Sequence, residues 1–187
     1  STINYFLDGT NTLEKLVLLG GGNINGGGND LNNILTGNSA NNILDGAAGN
    51  DILIGGFGLD VLIGGLGDDS YYIDNVGDKI IEKNNEGFDR IFSQVSYILD
   101  SDGSVESLIL INSDDVNAKG NDFDNILIGN IGDNELNGGE GNDVLDGGLG
   151  VDVLIGGFGD DSYYVDNNND EIIEEVNQGA DRVFSTI

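Results

Sequence analysis

The chain has 187 residues, enough for one or two domains, and carries 34 Asp and Glu against 6 Lys and Arg, a net charge of −28. That charge makes nucleic acid and anionic membrane surfaces poor partners and multivalent cations good ones. With no His and no Cys, the sequence excludes disulfides, zinc-type nitrogen and sulfur donors, and Ser-His-Asp or Cys-His chemistry. Apolar runs such as Leu16-Val17-Leu18-Leu19 are too short to span a bilayer, and no signal peptide is visible. There are 32 Gly and no Pro. Composition alone would fit a disordered acidic linker; the order of the residues argues against one.

In chain order, the first predicted element is a block of nonapeptides over about 28–81. Units start at Gly28, Gly37, Gly46, Gly55 and Gly64, and a sixth starts at Ile73, where the leading glycine is lost. The eighth position reads Leu35, Leu44, Leu53, Leu62, Tyr71, Ile80, and the sixth reads Asn33, Asn42, Asp51, Asp60, Asp69, Asp78. One apolar residue every nine is the signature of an inward-facing ladder. Two strands are expected next: residues 89–99, which alternate, and 106–111, which is short and apolar. A second block follows over about 120–173, with sixth positions Asn125, Asn134, Asp143, Asp152, Asp161, Asp170. Its eighth positions are Leu127, Leu136, Leu145, Leu154, Tyr163 and Ile172. No stretch carries helical periodicity with a cap.

A longer period lies over these. Residues 1–95 align with 93–187 without a gap, and about half the pairs are identical. Ser185-Thr186-Ile187 restarts the unit as Ser1-Thr2-Ile3 begins it. The expectation is two units, 1–95 and 96–187, cut from a longer tandem array and forming one continuous solenoid.

Each nonapeptide reads as a turn followed by a three-residue strand of about 10 Å. Two make one coil, so strands stack in parallel and turns stack on turns. Glycines at the first, second and fourth positions would supply backbone angles closed to other residues and leave carbonyls bare. A column of sixth-position carboxylates repels itself unless a cation intervenes. Calcium suits such a column because it takes six to eight oxygens in loose geometry, whereas magnesium demands a strict octahedron. Oxygen-only donors argue against zinc and copper.

The segments Gly55-Gly56-Phe57-Gly58-Leu59-Asp60-Val61-Leu62-Ile63 and Gly147-Gly148-Leu149-Gly150-Val151-Asp152-Val153-Leu154-Ile155 resemble the repeats of the RTX (repeats-in-toxin) family of hemolysin-type calcium-binding proteins. The resemblance covers the whole chain; Tyr71 to Asn75 and the strands after it are similar to the extension that trails such blocks. It implies an all-β, right-handed parallel β-roll with calcium between stacked turns. It also implies folding on calcium outside the cell and export by type I secretion. Carried onto this sequence, it pairs Asp51 with Asp69, Asp60 with Asp78, Asp143 with Asp161 and Asp152 with Asp170. Asn33, Asn42, Asn125 and Asn134 would be weaker, uncharged ligands or asparagine ladders. The turn carbonyls would come from Gly46, Gly49, Gly55, Gly56, Gly58, Gly64, Gly65 and Gly67 in the first block. In the second they would come from Gly138, Gly139, Gly141, Gly147, Gly148, Gly150, Gly156, Gly157 and Gly159. Ile73 and Val165, in place of the leading glycine, weaken the case for Asp78 and Asp170, and Ala47 and Ala48 weaken the Gly46 turn.

About four ions per block would offset over half the net charge of −28. The function expected is a non-enzymatic calcium-binding module of a secreted bacterial protein, acting as scaffold and secretion aid, with neighbouring repeats as further partners. The alternative is an adhesin or carbohydrate-binding module attached to a larger exoprotein or polysaccharide-modifying enzyme. Tyr71, Tyr72, Tyr163 and Tyr164 are read as closing the end of the core rather than as a sugar platform. Lys79, Lys83, Arg90 and Arg182 are read as local charge partners. Paired acids such as Asp68-Asp69 recur with the structural period, which argues against catalysis. Asp100-Ser101-Asp102-Gly103 has its glycine too early for an EF-hand loop.

Overall fold

The computed structural model describes residues 4–7, 12–83, 85–101 and 105–187. Ser1-Thr2-Ile3 and the Asp102-Gly103 part of the rejected EF-hand-like stretch lie outside the described residues. The chain forms two compact units, Ser1–Phe92 and Ser93–Ile187. All regular structure among the described residues is β, and the strands within each unit pair in parallel.

Unit 1 holds β1 (Tyr5–Phe6), β2 (Lys15–Val17), β3 (Gly26–Gly27), β4 (Ile34–Thr36), β5 (Ile43–Ala48), β6 (Ile52–Ile54), β7 (Val61–Leu66), β8 (Ser70–Ile73), β9 (Lys79–Ile81) and β10 (Arg90–Ser93). Odd strands hydrogen-bond in the order β1-β3-β5-β7-β9 and even ones in the order β2-β4-β6-β8-β10. Each nonapeptide therefore gives one strand to each sheet in turn, and two close a coil. Within the block the register steps by one coil: Leu35 pairs with Leu53, Leu53 with Tyr71, Leu44 with Leu62. Unit 2 repeats this with β11 (Tyr97–Ile98), β12 (Ser107–Leu110), β13 (Ala118–Lys119), β14 (Ile126–Ile128), β15 (Glu135–Glu140), β16 (Val144–Asp146), β17 (Val153–Phe158), β18 (Ser162–Val165), β19 (Glu171–Ile173) and β20 (Arg182–Ser185). The orders are β11-β13-β15-β17-β19 and β12-β14-β16-β18-β20. Each unit is a parallel β-solenoid.

The β-branched and leucine triplets form strands because they fill a pleated, half-buried surface. Leu35, Leu44, Leu53, Leu62 and Tyr71 are fully buried, as are Leu127, Leu136, Leu145, Leu154 and Tyr163. The ladder weakens at its last rung, where Ile172 is only half-buried. The inward face is wider than the eighth position alone. Period-two alternation puts the sixth, eighth and first positions on the same side, and the sixth-position Asp51, Asp60, Asp69, Asp143, Asp152 and Asp161 are all at most 1% exposed. These aspartates stand inside the coil, at the corner where strand meets turn. Residues at the third and fifth positions, such as Phe57 and Leu59, point outward.

The glycines divide by cause. Those at the second and fourth positions have left-handed backbones, as at Gly56 (φ 80°) and Gly58 (φ 141°), where side chains are strained. The first-position glycines do not have positive φ, which corrects the expectation that all three share one reason. A Cβ on Gly55 would instead lie 2.9 Å from the Cβ of Asp60 and 2.5 Å from its Oδ2. Ala47, at a second position, keeps the turn with φ 79° and bears the strain.

Candidate metal centres

The sixth-position side chain is held from the coil before it. The N–H of Asn33 donates to Oδ1 of Asp51 (2.6 Å), that of Asn42 to Asp60 (2.7 Å), that of Asp51 to Asp69 (2.6 Å) and that of Asp60 to Asp78 (3.0 Å). Unit 2 has the same bonds: Asn125 to Asp143 (2.7 Å), Asn134 to Asp152 (2.8 Å), Asp143 to Asp161 (2.7 Å) and Asp152 to Asp170 (3.1 Å). Each spans 18 residues. The pairs expected from the sequence thus meet on adjacent coils, one residue's backbone holding the other's side chain.

The second oxygen sorts the aspartates into two sets. Oδ2 of Asp51, Asp60, Asp69, Asp143, Asp152 and Asp161 is buried with no hydrogen-bond partner. Oδ2 of Asp78 instead accepts the N–H of Asn75 (3.2 Å), and Oδ2 of Asp170 accepts those of Asp166 (3.2 Å) and Asn167 (3.0 Å). These two cap the turn that begins at Ile73 or Val165, so both their oxygens are already used. A buried carboxylate oxygen with no donor is costly, and six of them recurring by design call for a cation.

The asparagines solve the same problem without charge. Oδ1 of Asn42 accepts the N–H of Asn38 (2.7 Å), and its Nδ2 donates to the carbonyl of Ile24 (2.7 Å). Asn134 does likewise with Asn130 (2.8 Å) and Val116 (2.7 Å). Oδ1 of Asn33 and Asn125 accepts from Asn29 (2.7 Å) and Asn121 (2.8 Å). The amides of Asn42 and Asn134 donate to the carbonyl of the coil before, which a carboxylate cannot do; that of Asn33 donates to Oδ1 of Asn29 (3.2 Å), and that of Asn125 is buried without a partner.

The carbonyls converge on the aspartates. A Cβ on Gly46 would strike Oδ2 of Asp51 and lie 2.7 Å from the carbonyl oxygen of Gly64. On Gly138 it would strike Oδ2 of Asp143 and lie 2.8 Å from that of Gly156. The missing side chain leaves a cradle between a carboxylate and the next coil's carbonyl. The second- and fourth-position glycines stack closely too: a Cβ on Gly56 would lie 2.7 Å from the carbonyl oxygen of Asn38, and one on Gly58 2.9 Å from that of Ala40. Gly49, Gly65 and Gly67, and in unit 2 Gly139, Gly141, Gly148, Gly150, Gly157 and Gly159, likewise face carbonyls of the coil before. Gly147 sits against Asp152 as Gly55 does against Asp60.

Burial dominates the electrostatics. It raises Asp51 and Asp143 from 3.8 to about 7, partly opposed by the N–H from the preceding coil and reinforced by the next aspartate. Asp60, Asp69 and Asp152 rise to about 6 for the same first reason, and Asp161 also rises. The ion pair seen among described residues, Lys83 with Glu86 at 3.1 Å, is on the surface. Arg90 sits over the Phe88 ring, 4.6 Å from its centroid.

The strands after each block add acids that the period of nine did not flag. The N–H of Asp69 donates to Oδ1 of Asp89 (2.8 Å) and that of Asp161 to Asp181 (2.9 Å), each now 20 residues on. Glu82 and Glu174 each accept the hydroxyl of the core tyrosine, Tyr71 or Tyr163. The signal available was their recurrence in the longer repeat, Glu82 on Glu174 and Asp89 on Asp181. Tyr71 and Tyr163 do close the core, while Tyr72 and Tyr164 stack on Phe92 and Phe184, centroids 4.9 and 4.8 Å apart.

Hard oxygen donors, partnerless buried charge and bare carbonyls, repeated coil by coil, define a cation-binding β-solenoid, and the donor set fits calcium. The RTX calcium-binding nonapeptide repeat matches the chain in four copies, at residues 26–62, 36–71, 119–154 and 147–172, covering more than half of it. The chain belongs to that family, whose repeats form a structural calcium-binding fold. A comparison with curated proteins finds no match. No helix among the described residues is long and apolar enough to cross a membrane.

Proposed function

We propose that this chain is a non-enzymatic module whose two units fold when calcium enters the turn columns, and that it serves as scaffold and secretion aid for a larger exported protein. The observation that carries this is the set of six buried, partnerless Oδ2 atoms on Asp51, Asp60, Asp69, Asp143, Asp152 and Asp161. Those aspartates would hold the ions, Asp51 and Asp143 together with the first-position glycine carbonyls of the following coil, Gly64 and Gly156. Asp78, Asp170, Asn33, Asn42 and Asn134 close the columns with protein hydrogen bonds.

The ion here supplies charge neutralisation and cross-linking of coils. At the low calcium of a cytosol the charged column disfavours folding, and at extracellular calcium binding to the folded state alone stabilises it by mass action. That difference suits export of an unfolded chain through a type I secretion apparatus, followed by folding outside the cell. A calcium titration followed by far-ultraviolet circular dichroism tests the proposal. The expected result is coil in chelator and β structure at millimolar calcium. Equal β structure in EDTA at neutral pH would overturn it.

A second reading, a glycan-binding or adhesive module, is supported by the stacked Tyr164–Phe184 pair beside a groove of about 370 Å³ that Asp146, Val165 and Asp166 also line. Glycan-array binding that disappears in a Tyr164→Ala variant would favour it.

A further inference from the structure

The end of each block carries a group of donors that joins one nonapeptide aspartate to two acids outside the period of nine. Carboxylate oxygens of Asp69, Glu82 and Asp89 all lie within 4.8 Å of one another, as do those of Asp161, Glu174 and Asp181. Asp69 belongs to the last glycine-led nonapeptide. Glu82 follows β9, and Asp89 precedes β10.

The donors are built in. Asp69 and Glu82 are 0% and 7% exposed. One oxygen of each is committed: Oδ1 of Asp69 takes the N–H of Asp51, and Oε1 of Glu82 takes the Tyr71 hydroxyl and the N–H of Gly65 (3.2 Å). The other oxygens, Asp69 Oδ2 and Glu82 Oε2, are buried without a partner. Gly64 leaves room for Asp69 Oδ2, because a Cβ there would strike it together with the Tyr71 hydroxyl and the committed Glu82 Oε1. Gly156 has the same three neighbours in Tyr163, Asp161 and Glu174. Sequence explains the arrangement: the core ladder changes from leucine to tyrosine at Tyr71 and Tyr163, and only a phenol places a hydroxyl beside the glutamate.

We propose that Asp69–Glu82–Asp89, and its more exposed counterpart Asp161–Glu174–Asp181 in the second unit, each form a calcium site that joins the last ladder aspartate to two carboxylates the nonapeptides lack. The inference rests on the reading of the chain as a calcium-binding module and adds a site of different composition to it. Three carboxylates so close together repel strongly unless neutralised. The surface Lys83 is engaged by Glu86 and Arg90 lies over Phe88, so neither serves Asp69 or Glu82. Three carboxylates and a phenol oxygen are hard donors of the kind calcium accepts in irregular geometry, with no nitrogen or sulfur to favour zinc. Each ladder position brings one carboxylate per coil; this site gathers three, so it takes up its ion before the ladder does.

The test uses the full chain with Glu82→Gln and Glu174→Gln together. Glutamine is isosteric and keeps an oxygen for the tyrosine hydroxyl. Calorimetric titration with calcium gives the ion count. Titration with terbium, excited through tyrosine, reports on ions beside Tyr71 and Tyr163. The expected result is one calcium fewer per unit and loss of the earliest tyrosine-sensitised terbium phase, while an Asp60→Asn, Asp152→Asn variant keeps that phase. If the glutamine variant binds as many calcium ions as the parent, the carboxyls share protons and the proposal is overturned. If the parent binds no calcium, the module reading itself fails. A Tyr71→Phe, Tyr163→Phe variant keeps every carboxylate and serves if the glutamine variant does not fold. It should bind the same number of ions and lose the early emission, and undiminished emission would refute the assignment.

Discussion

Removing divalent cations with EGTA at pH 7.5 should unfold both units, and bringing the metal-free chain to pH 5 should restore part of the β structure. Burial lifts Asp51 and Asp143 from 3.8 to about 7, Asp60, Asp69 and Asp152 to about 6, and Glu82 from 4.5 to about 8. A rise of three pH units corresponds to about 4 kcal/mol between protonation states. Water along the turn edges screens this, so about 2 kcal/mol per carboxylate is the better figure. Asp51, Asp60, Asp69 and Glu82 together then oppose folding of unit 1 by on the order of 8 kcal/mol, comparable to the whole net stability of a domain. The sign follows from linkage: the folded-state values lie above the unfolded ones, so the penalty is absent below about pH 4. It grows as pH rises and is complete above about pH 7 to 8. Far-ultraviolet circular dichroism in EGTA, stepped from pH 7.5 to 5 with urea midpoints at each step, measures it. More β structure at pH 7.5 than at pH 5 in EGTA, or none of this pH dependence, would refute the reasoning.

Asp60→Asn with Asp152→Asn should raise stability in EGTA by about 2 kcal/mol per site, because the penalty goes and an amide can donate to the coil before, as in Asn42; calorimetry should count fewer calcium ions. Asp78→Asn with Asp170→Asn should leave the ladder ions in place but cost about 1–2 kcal/mol per site in calcium-saturated urea melts, since the amide cannot accept the turn N–H groups at that oxygen. Gly147→Ala should cost about 1–3 kcal/mol in the same assay, its new Cβ lying 2.9 Å from that of Asp152. Ala47→Gly should add about 1 kcal/mol by releasing the strain at φ 79°.

The period of nine made the fold legible because each position has a narrow chemical requirement. Leu53 must fill a core and Gly58 must turn left-handed, so their spacing alone carries coil, sheets and register. The aspartate pairing was legible for the same reason. What could not be read was the use of each oxygen. Asp60 and Asp78 occupy equivalent positions, yet Oδ2 is partnerless in one and caps a turn in the other, because the loss of glycine at Ile73 reshapes that turn. Gly55 was expected for its backbone angles, but the structure needs it for the room it leaves Asp60. Asp89 was missed because the chain reaches it after 20 residues instead of 18, and Glu82 because it stands just past the ninefold block, where it meets Tyr71 after 11 residues.

The one-way bond from each N–H to the carboxylate 18 residues later gives the fold a grammar for insertions and deletions. A segment of one whole coil, duplicated within a block, finds a donor behind it and an acceptor ahead, and the chain reads on unchanged. A duplication half that size moves every later strand to the opposite sheet and re-matches each aspartate to another neighbour. Whole-coil growth therefore preserves the ladder upstream of Asp69 or Asp161, where the step to Asp89 or Asp181 lengthens to 20 residues and acts as a full stop for the 18-residue rule. The chain's second unit, with the same full stop in the same place, is a sentence copied entire.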